Sequence, residues 1–198
     1  LERPTDELTQ IQIVDHIIHS LPYDSPLLSA RYYIKSVVGT ISDLKQHLID
    51  PAKLLGIAED NLQQIDRAQP ALDDAINNAG GISRKTKDKF AQFEQLAEGL
   101  GKLNGDLIDL AVHDLTRALA QANEANSTTP LTNWKNKWLH KNEADQFTLT
   151  ERLRSQKMLE LAKVYAAYER ALKDRAAYDF DDMILRAIDG LTNNDELR

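Results

Sequence analysis

The chain has 198 residues, no cysteine and a formal net charge of −7. That length holds one sizeable domain or two small ones, and the missing cysteine excludes a disulfide framework, a thiolate metal centre and a thiol nucleophile. The acidic balance argues against a free-standing grip on duplex DNA, which needs cations to neutralise phosphates, but it leaves room for a local basic face. With only 8 glycines and 6 prolines against abundant Ala, Leu, Lys and Gln, helix is favoured over sheet. No apolar run approaches a membrane span and no signal peptide is visible, which fits a cytoplasmic protein. The sequence begins at Leu1, and its only methionines are Met158 and Met183. A piece excised from a longer protein is therefore expected.

Taken in chain order, ELTQIQIVDHIIHS (7–20) places Leu8, Ile11, Val14, Ile17 and Ile18 on one helical face. Ser25-Pro26 has the form of an N-cap followed by proline at the first helical position. The helix it opens carries Leu28, Tyr32, Ile34, Val38, Ile41 and Leu44, with a break near Gly39. Asp50-Pro51 repeats the cap and starts a third helix. Pro70 and Gly80-Gly81 then punctuate the chain around a short helical ALDDAINNA. Two further helices, from Ser83 to about Leu103 and from Leu107 to about Ala125, have the pattern of an antiparallel hairpin. After a loop at 126–133, Thr148 and Glu151 have capping-box spacing before a long helix over 149–175. A last helix follows YDFDD. No segment alternates convincingly as a strand. The expected fold is all-α: an irregular helical bundle with a long helical-hairpin insertion.

Chemistry-bearing motifs are few. Neither G-x-x-x-x-G-K-[S/T] nor G-x-G-x-x-G occurs. Gly80-Gly81 before Ile82-Ser83-Arg84-Lys85 reads as a helix-ending turn rather than a phosphate loop. His16 and His19 share a helix face but lack an acidic partner at ligand spacing, and no serine sits in a nucleophile elbow. No catalytic, cofactor-binding or metal residue is assigned. Trp134 and Trp138, interleaved with Lys135, Lys137 and Lys141, fit either stacking on a single strand or packing in a core, since rings four apart share one helix face. Arg84, Lys85, Lys87 and Lys89 form a basic helix start, either a phosphate contact or a solvated run. Residues 130–175 hold ten Lys or Arg against six Asp or Glu. Candidate DNA contacts are Arg84, Lys85, Lys135 and Lys137. Asp179, Asp181 and Asp182 are suited to a divalent metal or to a helix start, with Asp179 as N-cap and Asp182 at the third position. The helix start is the better reading, because apolar residues follow at helical spacing.

The string AKVYAAYERALKDRAAYDFDDMILRAIDGLTNNDELR (162–198) resembles a segment of the UvrD/Rep-type superfamily 1 DNA helicases. There a helix with paired tyrosines, here Tyr165 and Tyr168, leads to an L-D-F-D-D-L-like motif, here Tyr178 to Met183 with Asp179, Phe180, Asp181 and Asp182. YYIKSVVGTISDLKQHLIDPAKL (32–54) resembles the family's I-S-x-x-K…P region through Ile41, Ser42, Lys45 and Pro51. The matches come in the family order and cover about a third of the chain, but residues 55–161 show no family pattern. The resemblance implies three segments: 1–55 as the first helices of a subdomain 1B, 56–161 as an enlarged helical insertion, and 162–198 returning toward motor domain 1A. It further implies an accessory subdomain, silent alone, of a 3′-to-5′ helicase that hydrolyses ATP with Mg²⁺ and handles DNA at a single-strand/duplex junction, as in repair. The Walker A lysine and Walker B acids of such an enzyme are not in this sequence. By position Lys45 becomes a further candidate DNA contact. The competing reading is a helical protein-interaction module, with a protein partner bound through the insertion.

Overall fold

The computed structural model describes residues 2–193; the end of the 162–198 string, residues 194–198, lies outside them. In chain order the elements are β1 (Arg3–Pro4), α1 (Glu7–His19), a 3-10 turn (Leu28–Tyr32), α2 (Ile34–Gln46), α3 (Pro51–Leu72), a π turn (Asp73–Asn77), α4 (Thr86–Leu100), α5 (Asp106–Glu124), α6 (Thr129–Trp138), β2 (Leu139–Lys141), β3 (Phe147–Leu149), α7 (Glu151–Asp174), β4 (Ala177–Tyr178) and α8 (Phe180–Asn193). Helix makes up 73% and strand 5%, so the fold is all-α. The chain divides into two compact units, residues 1–58 with 156–198 and residues 59–155.

In the first unit, Asp6 caps α1 by accepting the Thr9 N–H at 2.8 Å, and Asp50 caps α3 by accepting the Lys53 N–H at 2.7 Å. The apolar stripes of α1 and α2 meet Leu54 and the inward face of α7 in a core of Ile13, Val14, Ile18, Val37, Ile41, Ala162, Val164, Tyr165, Tyr168 and Leu172. Strands β1 and β4 pair in parallel, Arg3 opposite Ala177 and Pro4 opposite Tyr178. They bring the start of the described chain beside the segment that leads into α8.

The second unit packs α4 and α5 as consecutive helices, with α6 against α5 and the β2–β3 hairpin beside the π turn. Its core runs from Ile65, Leu72 and Ile76 through Phe93, Leu96, Leu100, Ile108 and Leu115 to Trp134, Trp138, Phe147 and Leu149. Phe93 and Trp134 meet edge to face, with centroids 5.8 Å apart.

Several local expectations change. Gly39 lies inside α2 without a break. Ser25 accepts the Leu27 N–H at 3.3 Å, yet the chain makes only a 3-10 turn before α2 starts at Ile34. Pro70 sits inside α3; the lost hydrogen bond is outweighed by burying Ile65, Ala68 and Leu72 on one face. The long helix starts at Glu151, because Thr148 belongs to strand β3. That hairpin has no sequence alternation behind it. Asn77 holds it instead, accepting the Phe147 N–H at 2.8 Å while its amide donates to the Phe147 carbonyl at 3.0 Å. Among the described residues no helix is long and apolar enough to cross a membrane.

Candidate functional site

The strongest polar constellation lies in the first unit, where α2 faces the start of α8. Asp179 precedes α8, and its Oδ1 accepts the Asp182 N–H at 2.9 Å while Asp182 Oδ2 accepts the Asp179 N–H at 3.1 Å. This is a reciprocal capping box closed by an aspartate. The remaining oxygens turn toward Lys45. Its Nζ is 2.8 Å from Asp179 Oδ2 and 2.5 Å from Asp182 Oδ1. Glu169 Oε1 of α7 is 2.7 Å away, an ion-pair contact not aligned as a hydrogen bond. The Lys45 side chain is only 1% exposed. Tyr168 donates its hydroxyl to Asp179 at 2.9 Å, and its ring lies 5.4 Å from the Lys45 ammonium. Asp181 faces α2 as well, accepting from Ser42 at 2.6 Å and from Gln46 at 3.3 Å. Phe180 is exposed.

The electrostatics follow from burial and pairing. Burial by itself would lower the Lys45 ammonium, but its hydrogen bonds to Asp179 and Asp182, together with the Glu169 carboxylate, reverse that and hold it charged above its ordinary range. Burial pushes against an ionised Asp179 too; the Lys45 bond and the Asp182 N–H overcome it and leave the carboxyl below its usual value. Glu169 goes the other way, raised chiefly by burial despite Lys45. Burial, followed by the Asp179 charge, raises Tyr168 and keeps it a neutral donor. A lysine ammonium thus occupies the centre that a cation would take among these acids. The carboxylates are committed to Lys45, Ser42, Gln46, Tyr168 and the α8 backbone, and they do not fit a magnesium nucleotide.

The candidate contacts of the second unit separate into different surroundings. Trp134 and Trp138 are buried and donate to the Ala111 carbonyl at 3.1 Å and to Asp114 at 3.2 Å, so neither ring is a stacking platform. Lys137 is paired with Asp114 at 2.5 Å, which holds that carboxyl low. Lys85 is exposed at the start of α4. Arg84 and Lys135, by contrast, meet across a hollow of about 580 Å³ that is also lined by Gly80, Gly81, Ser83, Lys89, Thr132 and Lys141. In the sequence Lys89 and Lys141 are only members of charge runs. What singles them out is the approach of α4, α6 and the hairpin, which no sequence spacing reports.

Ser42, Lys45 and Gln46 therefore meet Asp179, Asp181 and Asp182 across more than 130 residues of chain. The I-S-x-x-K segment of α2 is thus locked to the D-F-D-D start of α8. A family model for the UvrD/REP helicase N-terminal domain matches residues 3–198, and the chain belongs to that family. No curated protein and no solved structure matches it.

Proposed function

We propose that this chain is the accessory, 1B-like helical subdomain of an ATP-dependent 3′-to-5′ DNA helicase, which encloses or guides DNA during unwinding and does not hydrolyse ATP by itself. One observation carries the reading: the two segments that resemble the helicases, far apart in sequence, close on each other through the Lys45 cluster. An insertion anchored that way leaves and re-enters its host at one fixed junction. The exposed apolar residues Phe180, Met183, Ile184, Ile188 and Leu191 of α8 support it, since they offer a face for the motor body to cover. On this reading Lys45 is a junction residue rather than a DNA contact, and residues 56–161 are the enlarged insertion that handles DNA.

The test is made in the parent enzyme, with residues 56–160 replaced by a short linker. Unwinding of a tailed duplex is expected to fall at least tenfold while single-strand-stimulated ATP hydrolysis persists. The isolated chain is expected to hydrolyse no ATP. Unchanged unwinding, together with loss of a co-purifying protein, would favour the interaction module instead.

A further inference from the structure

The hollow in the second unit has a charge imbalance that its own side chains leave unanswered. Arg84, Lys89, Lys135 and Lys141 contribute four cations to its lining, and none of the lining residues is acidic. Lys141 is neutralised by Asp145 at 2.7 and 2.8 Å. Lys89 donates to the Thr132 hydroxyl at 2.7 Å and Lys135 to the Asn136 amide oxygen at 3.3 Å. Among the described residues, Arg84, Lys89 and Lys135 make no carboxylate pair. In a chain of net charge −7, carboxylates are plentiful, yet among the described residues none lines the hollow itself.

The cations are also held in position. Lys89 is half-buried, and its ammonium is depressed first by that burial and then by the neighbouring charge of Lys135. The Lys135 and Lys141 ammoniums lie 5.6 and 5.4 Å from the centroid of the Phe147 ring, which gives both a fixed apolar support. The loop beneath Arg84 is fixed by Gln92: its side-chain oxygen accepts the Ser83 N–H at 2.8 Å and its amide donates to the Gly81 carbonyl at 3.0 Å. Gly80 and Gly81 have φ of 77° and 110°, conformations that only glycine adopts without strain. The Ser83 hydroxyl accepts the Lys85 N–H at 3.1 Å, which leaves its proton to donate. Two ammoniums, a planar guanidinium and a hydroxyl converging on one open hollow suit an oxyanion with several acceptor oxygens.

We propose that the hollow between Arg84, Lys89 and Lys135 seats a phosphate group of a DNA strand. The choice of DNA as the source rests on the DNA-handling function proposed above; the phosphate chemistry rests on the hollow alone. Lys85 and Lys137 lie outside the hollow and do not contact that phosphate.

The test uses the 198-residue chain and its amide NMR spectrum at constant ionic strength. Inorganic phosphate is expected to give saturable shifts confined to residues 81–84, 89 and 132–135, and a single-stranded oligonucleotide is expected to move the same amides. In the Arg84→Gln/Lys135→Gln variant both sets of shifts should vanish with an unchanged thermal melt, and Lys53→Gln/Lys157→Gln should behave as wild type. Losing this one phosphate contact should also lower the salt slope of oligonucleotide binding by about 0.7. Scattered or unsaturable phosphate shifts, or shifts that survive in the variant, would overturn the site. If oligonucleotide binding is then still strong and salt-dependent, the DNA-handling function stands and only this site falls. Phosphate binding that no oligonucleotide displaces, or that a poly-glutamate peptide displaces equally well, would overturn DNA as its source.

Discussion

At the scale of single residues, Lys45 decides most. A buried ammonium among three acids is costly to place, and it is stable here because two of them, Asp179 and Asp182, have further partners in Tyr168 and the backbone at the start of α8. Lys45→Met removes the cation and leaves Asp179 and Asp182 facing each other with low exposure. It is expected to cost about 3–5 kcal/mol in urea unfolding of the unit that holds them. The pH dependence has a worked sign. Asp179 is lowered on folding, so its stabilisation is present above the ordinary aspartate value of 3.8 and is lost as pH falls through the lower folded value. Lys45 is raised, so its share is complete below 10.5 and is lost only as pH climbs beyond that. Glu169 is raised, which opposes the fold while it is ionised and is relieved on acidification. Asp179→Asn should therefore flatten the acid limb of a stability–pH curve, and Glu169→Gln should steepen it. A Glu169→Gln curve flatter than wild type would contradict the assignment.

At the scale of elements, α5 is capped from a distance. Its N-cap is Gly105, which has no side chain to offer, and Gln64 of α3 supplies the acceptor: Oε1 receives the Leu107 N–H at 3.0 Å and the Ile108 N–H at 3.4 Å. The Gln64 amide is held in turn by Asp60 at 2.6 Å. Gly105 has φ 146°, and a Cβ built there would lie 2.3 Å from Gln64 Oε1. Gly105→Ala must therefore displace the cap as well as strain the backbone, and about 2 kcal/mol is expected. Gln64→Ala leaves two N–H groups without that acceptor and is expected to cost about 1–2 kcal/mol. Both are read from chemical denaturation followed by tryptophan fluorescence. Additive losses in the double mutant would argue against a shared cap, since residues acting on one feature should not add.

At the scale of the whole molecule, the two units carry separate reporters. The only two tryptophans, Trp134 and Trp138, lie in the unit spanning 59–155, whereas the Lys45 cluster lies wholly in the other. Each unit has its own apolar core, which is the condition for separate cooperative unfolding. Lys45→Met is thus expected to shift the first part of the far-UV circular dichroism transition to lower urea and leave the fluorescence transition in place. Coincident shifts of both signals would mean that the chain unfolds as one cooperative body.

Much of this protein was legible without coordinates, for identifiable reasons. Helix content followed from 3.6-residue apolar spacing, as at Val14 and Ile18 or at Leu96 and Leu100, because that spacing is what a one-sided core requires. Caps such as Asp50 before Pro51 were readable because they act within three residues. The family was readable from two short ordered strings. What acts across the chain was not. Lys45 and Asp179 stand 134 residues apart, and nothing local in α2 tells a buried lysine from a solvated one. The β2–β3 hairpin rests on Asn77, α5 on Gln64, and the hollow on Lys89 meeting Lys135 from another helix. The sequence by itself determined the helical class, the capped starts of α3 and α8, and the family. Only the tertiary structure decided which charges are neutralised in the interior and which are left facing an open hollow, because a charge's environment is set by neighbours that sequence distance does not measure.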